Sequence, residues 1–207
     1  MKGLLRLLAW LLVLAIVVAG GVMLLLQGRG VGARAEPSAL ETRVALFMRG
    51  WMTPSTYKGL KNPVSATEEN FTAAREHFAD HCASCHSNDG SGNTEIGQNF
   101  YPKAPDMRLP RTQNLSDGEL FYIIENGVML TGMPGWSTGT PEGEKSSWQL
   151  VHFIRRLPKL TADDLAIMEQ FNPVSRSVIE EERKIEDFLK GGHEPPPADP
   201  HAGHRKQ

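Results

Sequence analysis

The sequence predicts an all-α fold that is preceded by one N-terminal membrane-spanning helix and followed by extra C-terminal helices. Apolar residues recur at helical spacing after residue 65, capping residues stand before these segments, and no strand pattern appears between Thr67 and Lys159. A chain of 207 residues has room for one ordinary domain with appendages. We expect a membrane anchor at 1–35, a linker at 36–66, the main domain at 67–159, a helical extension at 160–190 and a disordered tail at 191–207.

The charge balance argues against a nucleic-acid partner. The net charge is -2, and no stripe of basic residues runs through the sequence. Binding to a phosphate backbone needs such a stripe, because affinity comes from releasing the counterions that Lys and Arg replace. We therefore expect protein and membrane partners only.

The N-terminus carries a long apolar segment. Lys2 and Arg6 precede a run without charged residues from Leu7 to Leu26. At ~1.5 Å per residue, such a helix spans a hydrocarbon layer ~30 Å thick. A cleavable signal peptide ending at Ala33-Arg34-Ala35 is the alternative, but signal-peptide apolar cores run to only ~7–15 residues. We expect a retained anchor.

Three helices are expected in the main domain. The first begins at Ser65 or Thr67 and continues into a pair of cysteines. The second opens with a capping box at Ser116 and Glu119 and closes at Gly127. The third runs over 144–157, where Pro158 stops it.

Further helices are expected outside the main domain. The linker has a short helical segment at 39–51. Thr161 caps a short helix in the extension, and an amphipathic helix follows that carries on one side Val178, Ile179, Ile185, Phe188 and Leu189. We expect this last helix to pack on the main domain rather than on a partner, because a single amphipathic helix seldom persists alone.

The two cysteines lie in the motif Cys82-Ala83-Ser84-Cys85-His86. This spacing is typical of covalent haem c attachment, since both thiols can reach the vinyl groups at one edge of the porphyrin and the imidazole of His86 can ligate the iron. A redox dithiol would need an alternating strand and helix pattern, which is absent. A zinc site would need a second pair of ligands, which His77, His81 and His152 do not form. We therefore predict one covalent haem.

The second axial ligand is predicted to be Met133. Gly132 and Pro134 flank it and favour a defined turn that presents its thioether to the metal, which raises the reduction potential. Core packing is the ordinary role of a methionine. Met107 and Met129 are the competing candidates.

The segment from about Thr67 to Lys159 resembles class I cytochrome c. The matching features follow the family order: the attachment motif, Asp89-Gly90-Ser91-Gly92, Pro105, Thr131-Gly132-Met133-Pro134 and an aromatic-bearing last helix. The resemblance covers less than half of the chain.

The resemblance implies a cytochrome c fold in which the first and last helices cross. The contacting residues would be Phe71, Ala74 and Phe78 on one helix and Leu150, Phe153 and Ile154 on the other. It also implies that the carbonyl group of Pro105, or of Pro102, accepts a hydrogen bond from the unliganded nitrogen of His86. Because the family's haem is attached after export, the domain would lie in the periplasm, held to the inner membrane by a single span.

The predicted function is one-electron transfer between redox partner proteins, without catalysis. Segment 67–159 has 8 Lys and Arg against 12 Asp and Glu, so we expect a basic partner surface or an apolar contact around the haem edge. The protein could be a subunit of a respiratory or dehydrogenase complex. The alternative is a peroxidase-like or ligand-sensing haem protein with an open sixth position, and the tail histidines His193, His201 and His204 leave open a metal-binding role.

Overall fold

The computed structural model describes residues 2–30, 32–174 and 176–191, without the side chains of 26, 29, 176–179 and 182. The predicted disorder of the tail falls on residues outside this part, apart from Gly191. All regular elements in the described residues are helical, which confirms the all-α prediction. The α-helices are α1 Lys2–Arg29, α2 Ala39–Met52, α3 Ser55–Lys58, α4 Glu68–His77, α5 Ala83–His86, α6 Glu95–Gln98, α7 Pro110–Gln113, α8 Asp117–Asn126, α9 Pro141–Arg156, α10 Ala162–Glu169 and α11 Arg176–Leu189. A π-helical turn, Phe78–Cys82, and a 3-10 helix, Leu157–Lys159, complete the described elements.

Helix α1 is long and apolar enough to cross a membrane over Lys2–Leu25, and no part of that span is buried in the protein. It is the one described helix that passes this test of length and composition, which an N-terminal signal sequence would also pass. Its exposed leucines and valines need an apolar environment that the rest of the described chain does not provide.

The starts of α4, α8 and α10 follow the caps that the sequence indicated, whereas α9 begins at Pro141, three residues before the predicted start, because Thr140 caps it. The hydroxyl of Thr67 accepts the backbone N–H of Asn70 at the start of α4. Ser116 and Glu119 form a complete capping box before α8, as do Thr161 and Asp164 before α10. Each such cap satisfies backbone donors that the first turn of a helix leaves without partners.

The core lies where α4 packs along α9. The ring centroid of Phe153 is 5.6 Å from that of Phe71 and 4.7 Å from that of Phe78. The rings of Phe121 on α8 and Trp148 on α9 stack with centroids 4.0 Å apart. The helix crossing implied by the family resemblance is therefore present, with these aromatic rings at its centre.

The helical extension divides into two parts. Helix α10 packs on the domain, because Met168 is fully buried and Asp164 pairs with Arg75 at 2.8 Å. The packing expected for α11 is wrong within the described residues: Ile185, Phe188 and Leu189 are all exposed. Its amphipathic pattern was read correctly, but a pattern does not specify which surface covers the apolar side.

The segment before the main domain is ordered against it. The carbonyl oxygen of Val64 lies 2.7 Å from Nε2 of His152, which donates to it, and the side-chain amide of Asn62 donates to the carbonyl of Trp148 at 2.9 Å. The ring of Tyr57 meets that of Tyr122 edge-on at 4.9 Å. Residues expected to form a linker thus contribute to the domain surface.

Candidate haem site

The cysteine motif follows α4 through a π-helical turn, Phe78–Cys82. Phe78 and Ala79 are buried in the core, so the turn holds Cys82 against that core, where it is partly buried. Cys85 and His86 follow on the short helix α5. Single π-helical turns frequently occur at functional sites, because the extra residue shifts the side chains that follow.

The backbone after the motif reverses sharply. Ser87 has a φ of 62°, a conformation that is rare outside glycine, and its N–H donates to the carbonyl of Ala83 at 2.8 Å. The carbonyl of His86 then accepts the N–H of Gly92 at 2.8 Å. These contacts hold the His86 backbone from both sides.

The carbonyl of Cys85 is held by residues that sequence reasoning missed. The hydroxyl of Thr94 donates to it at 3.1 Å, and Gly97 packs so closely that a Cβ there would lie 2.2 Å from it. The sequence indicated these residues only through a local pattern: Thr94 caps α6, and its hydroxyl accepts the N–H of Gly97. Only glycine, which has no Cβ, can lie this close to the carbonyl of Cys85.

Arg108 is a second residue whose role the sequence did not show. It is half-buried and pairs with Asp106 and Asp89, each at 2.7 Å. Hydrogen bonds from the neighbouring Ser91 and Ser87, together with this guanidinium, hold the pKa of the Asp89 carboxyl below its usual value. The pairing joins the loop after the motif to the loop that contains Pro105.

The electrostatics of the motif suit a neutral, apolar site. Burial lowers the pKa of His86, so its imidazole stays neutral near pH 7, which is the form that ligates iron. Burial, with a smaller contribution from Cys85, raises the pKa of the Cys82 thiol to about 12. Both cysteines are free rather than paired in a disulfide.

Nδ1 of His86 is buried and has no hydrogen-bond partner. The bond expected to the carbonyl of Pro105 or Pro102 is therefore absent, and that prediction is wrong for this structure. A buried imidazole that directly follows two free thiols nevertheless fits a haem site, because its other ring nitrogen, Nε2, would be available to ligate iron.

Met133 sits in a loop whose backbone is fixed on both sides. Its N–H donates to the hydroxyl of Thr131 at 3.1 Å, and its carbonyl accepts the N–H of Val128 at 3.1 Å. Gly127 starts the loop with a φ of +69°, and a Cβ there would lie 2.5 Å from the carbonyl carbon of Pro134. The side chain of Met133 is half-buried.

The two competing methionines have other surroundings. Met129 is 76% exposed at the tip of the same loop, and Met107 belongs to the buried core. The Met133 loop also contacts the attachment segment, since the ring of Trp136 meets that of His81 edge-on at 5.8 Å. Two residues that ligate the same iron must lie on segments that are close in space, and this contact brings the two segments together.

The comparison with protein families agrees with this fold and site. Residues 69–154 match the family model described as cytochrome C oxidase, cbb3-type, subunit III. The matched range contains Cys82, Cys85, His86 and Met133. A search of curated proteins found no match to the chain.

The helical fold, the attachment motif and the family match together identify a class I c-type cytochrome. Its domain is similar to that of the cbb3-type oxidase subunit III family over the matched residues, which are less than half of the chain. Haem c is accordingly its covalently bound cofactor, and electron transfer is its role.

Proposed function

We propose that this protein is a membrane-tethered one-electron carrier in which Cys82 and Cys85 hold the haem and His86 and Met133 are the axial ligands. The observation that carries the proposal is the fixation of the Met133 backbone at both its N–H and its carbonyl. These bonds fix the backbone of the loop that carries the Met133 thioether. That thioether would occupy the sixth coordination position of a bound haem iron and would thereby keep substrates from the metal. Bound haem c supplies an iron that gains and loses one electron.

The chain's own residues limit reorganisation during that exchange. The loop bonds at Thr131 and Val128 fix one ligand, and the backbone bonds around Ala83, His86 and Gly92 fix the other. Because both backbone segments are restrained, they would keep His86 and Met133 in place when a bound haem iron gains or loses an electron. A carrier needs this property, whereas a catalyst needs an open position.

Replacing Met133 with alanine tests the ligand assignment. We expect the reduction potential to fall by on the order of 100 mV, since axial ligation spreads haem potentials over about 0.8 V. The weak far-red absorption band of ferric iron with thioether ligation should disappear, and carbon monoxide should bind rapidly to the reduced variant. Potentiometric titration and absorption spectroscopy measure these changes.

Met129→Ala is the matched control, because Met129 lies in the same loop and is exposed. It should leave the potential, the far-red band and the slow carbon monoxide reaction unchanged. If instead the unmodified protein already binds carbon monoxide or peroxide rapidly, the sixth position is open, and the peroxidase-like or ligand-sensing function replaces the carrier.

The cellular setting is the second part of the proposal. The exposed apolar surface of α1 supports a single-pass anchor in the inner membrane, with the haem domain on the periplasmic side. The similarity to the cbb3-type oxidase subunit III family supports a terminal oxidase complex as the setting, and a periplasmic dehydrogenase is the other candidate. The excess of acidic residues in 67–159 favours donors and acceptors with basic or apolar contact surfaces.

Retention of α1 can be measured on the mature protein. We expect its intact mass to include the N-terminal segment and one haem, and we expect washing with alkaline carbonate to leave it in the membrane fraction. A mature chain that starts after residue 35 and is released by the wash would show that α1 is a cleaved signal sequence.

A further inference from the structure

Helix α2 exposes an apolar stripe along its whole length. Leu40, Val44, Phe47 and Trp51 are 72%, 53%, 69% and 72% exposed, respectively. Their spacing of four, three and four residues places them on one face of the helix. Soluble surfaces rarely carry such a continuous stripe without a partner that covers it.

The opposite side of α2 is held against the haem domain, so the stripe cannot turn inward. The hydroxyl of Tyr101 in the domain donates to the carboxylate of Glu41 at 2.6 Å. Within the preceding segment, the ammonium of Lys58 on α3 donates to the carbonyl of Gly50 at 2.5 Å. The side of the helix that carries Arg49 faces Arg111 and Glu119, and burial there lowers the pKa of Arg49. The domain thus fixes the rotation of α2 with its apolar face outward.

The position of α2 in the chain keeps it close to the end of α1. Only residues 30–38 separate Arg29 from Ala39, and at ~3.3–3.6 Å per residue they reach no further than roughly 30 Å. Two contacts hold this connection against the domain: Nε of Arg34 donates to the side chain of Asn99 at 3.0 Å, and Lys103 pairs with Glu36. The helix therefore stays within reach of any bilayer that α1 spans.

The charge of this region differs from that of the haem domain. Segment 32–61 has 5 Lys and Arg against 2 Asp and Glu, whereas segment 67–159 has 8 against 12. A basic segment next to a membrane-spanning helix is attracted to anionic lipid headgroups, while an acidic domain is repelled from them. A negatively charged membrane surface would therefore attract segment 32–61 and repel segment 67–159.

We propose that α2 lies in the surface of the membrane, with the stripe formed by Leu40, Val44, Phe47 and Trp51 in contact with lipid. The proposal rests on the anchoring role proposed for α1 and adds a second contact with the bilayer. Interfacial helices bury an apolar face ~5–10 Å into the boundary between headgroups and acyl chains. Aromatic residues such as Trp51 favour this boundary.

A docked α2 gives the haem site a fixed orientation. Tyr101 bonds to Glu41 of α2, and the adjacent Phe100 ring lies against Gly132, where a Cβ would be 2.7 Å from it. The loop that carries Met133 is thus coupled to the membrane-facing helix through two neighbouring residues. A single flexible tether would leave this loop free to face any direction.

The test uses the full-length, haem-loaded protein in nanodiscs with one copy per disc. The bilayer contains phosphatidylcholine and phosphatidylglycerol, with a small fraction of phospholipid that carries a photoactivatable diazirine on its acyl chain. After illumination, mass spectrometry of peptides locates the lipid adducts. We expect adducts on α1 and on the α2 peptide that contains Phe47 and Trp51.

The variant Phe47→Glu/Trp51→Glu should lower the adducts on α2 roughly tenfold, because charged side chains no longer enter the boundary region, and it should leave those on α1 unchanged. Ala45→Glu is the matched control: Ala45 is exposed on α2 but lies about 200° around the helix from Phe47, so its adduct pattern should not change.

The outcomes separate the two proposals. Adducts on α1 but none on α2 overturn the interfacial helix and leave the anchor standing, whereas adducts on neither helix overturn both. Chemical crosslinks between α2 helices of two copies, found in discs loaded with several copies, would show that a second chain covers the stripe and would also overturn the lipid contact.

Discussion

The double variant Cys82→Ser/Cys85→Ser should carry no covalent haem. A serine hydroxyl does not form the thioether bond, so both links between the polypeptide and the porphyrin are lost together. We expect the denatured, solvent-extracted variant to have the mass of the bare polypeptide and no haemochrome spectrum. The unmodified protein should retain the mass of one haem under the same treatment.

The exposed residue between the two cysteines provides the control. Ser84→Ala removes an exposed hydroxyl that lies 3.9 Å from the sulfur of Cys85, so full haem content should persist. A single Cys→Ser variant keeps one possible link and should retain part of the haem. If the double variant kept its pigment after denaturation, attachment at these sulfurs would be disproved.

Local sequence signals predicted the helix boundaries because the decisive contacts are local. The capping boxes at Ser116 and Thr161 each involve a partner three residues away, and the structure forms both. The residue types at these positions leave few other ways to satisfy the first-turn donors. The π-helical turn before Cys82 was not predicted, since it depends on how Phe78 and Ala79 enter the core.

Contacts between distant segments were less accessible from sequence. The donation from Asn62 to the carbonyl of Trp148 joins residues 86 positions apart, and no pattern in either segment indicates it. The expected bond from His86 to a proline carbonyl depended on family resemblance alone, and the structure leaves Nδ1 without a partner. Residue type identified the ligand candidates, whereas the surroundings of each had to come from the fold.

The apolar stripe of α2 illustrates the same limit in another form. The sequence showed a short helix at 39–51, but the side that faces the domain is marked by the bond between Tyr101 and Glu41 and by the burial of Arg49 near Arg111 and Glu119. An amphipathic pattern normally predicts that the apolar side packs inward. Here the polar side does, which points to an environment outside the chain.

Replacing Phe153 with alanine should cost the fold about 3–5 kcal/mol, a large part of the ~5–15 kcal/mol typical of a domain. Phe153 is 0% exposed and lies between Phe71 and Phe78, so its removal leaves a cavity where α4 crosses α9. Guanidinium denaturation of the haem-loaded protein, followed by circular dichroism, should show a lower midpoint with the slope unchanged.

Phe188→Ala is the matched control, because it removes the same side chain from α11, where that side chain is 57% exposed. It should change the free energy of unfolding by less than about 0.5 kcal/mol and so leave the midpoint nearly unchanged. The Phe153 variant should also perturb haem spectra before global unfolding, since Phe78 begins the turn that positions Cys82. Equal midpoints for the two variants would mean that the packing of α4 on α9 does not stabilise the attachment segment. The stability of the motif would then come from the haem bonds alone.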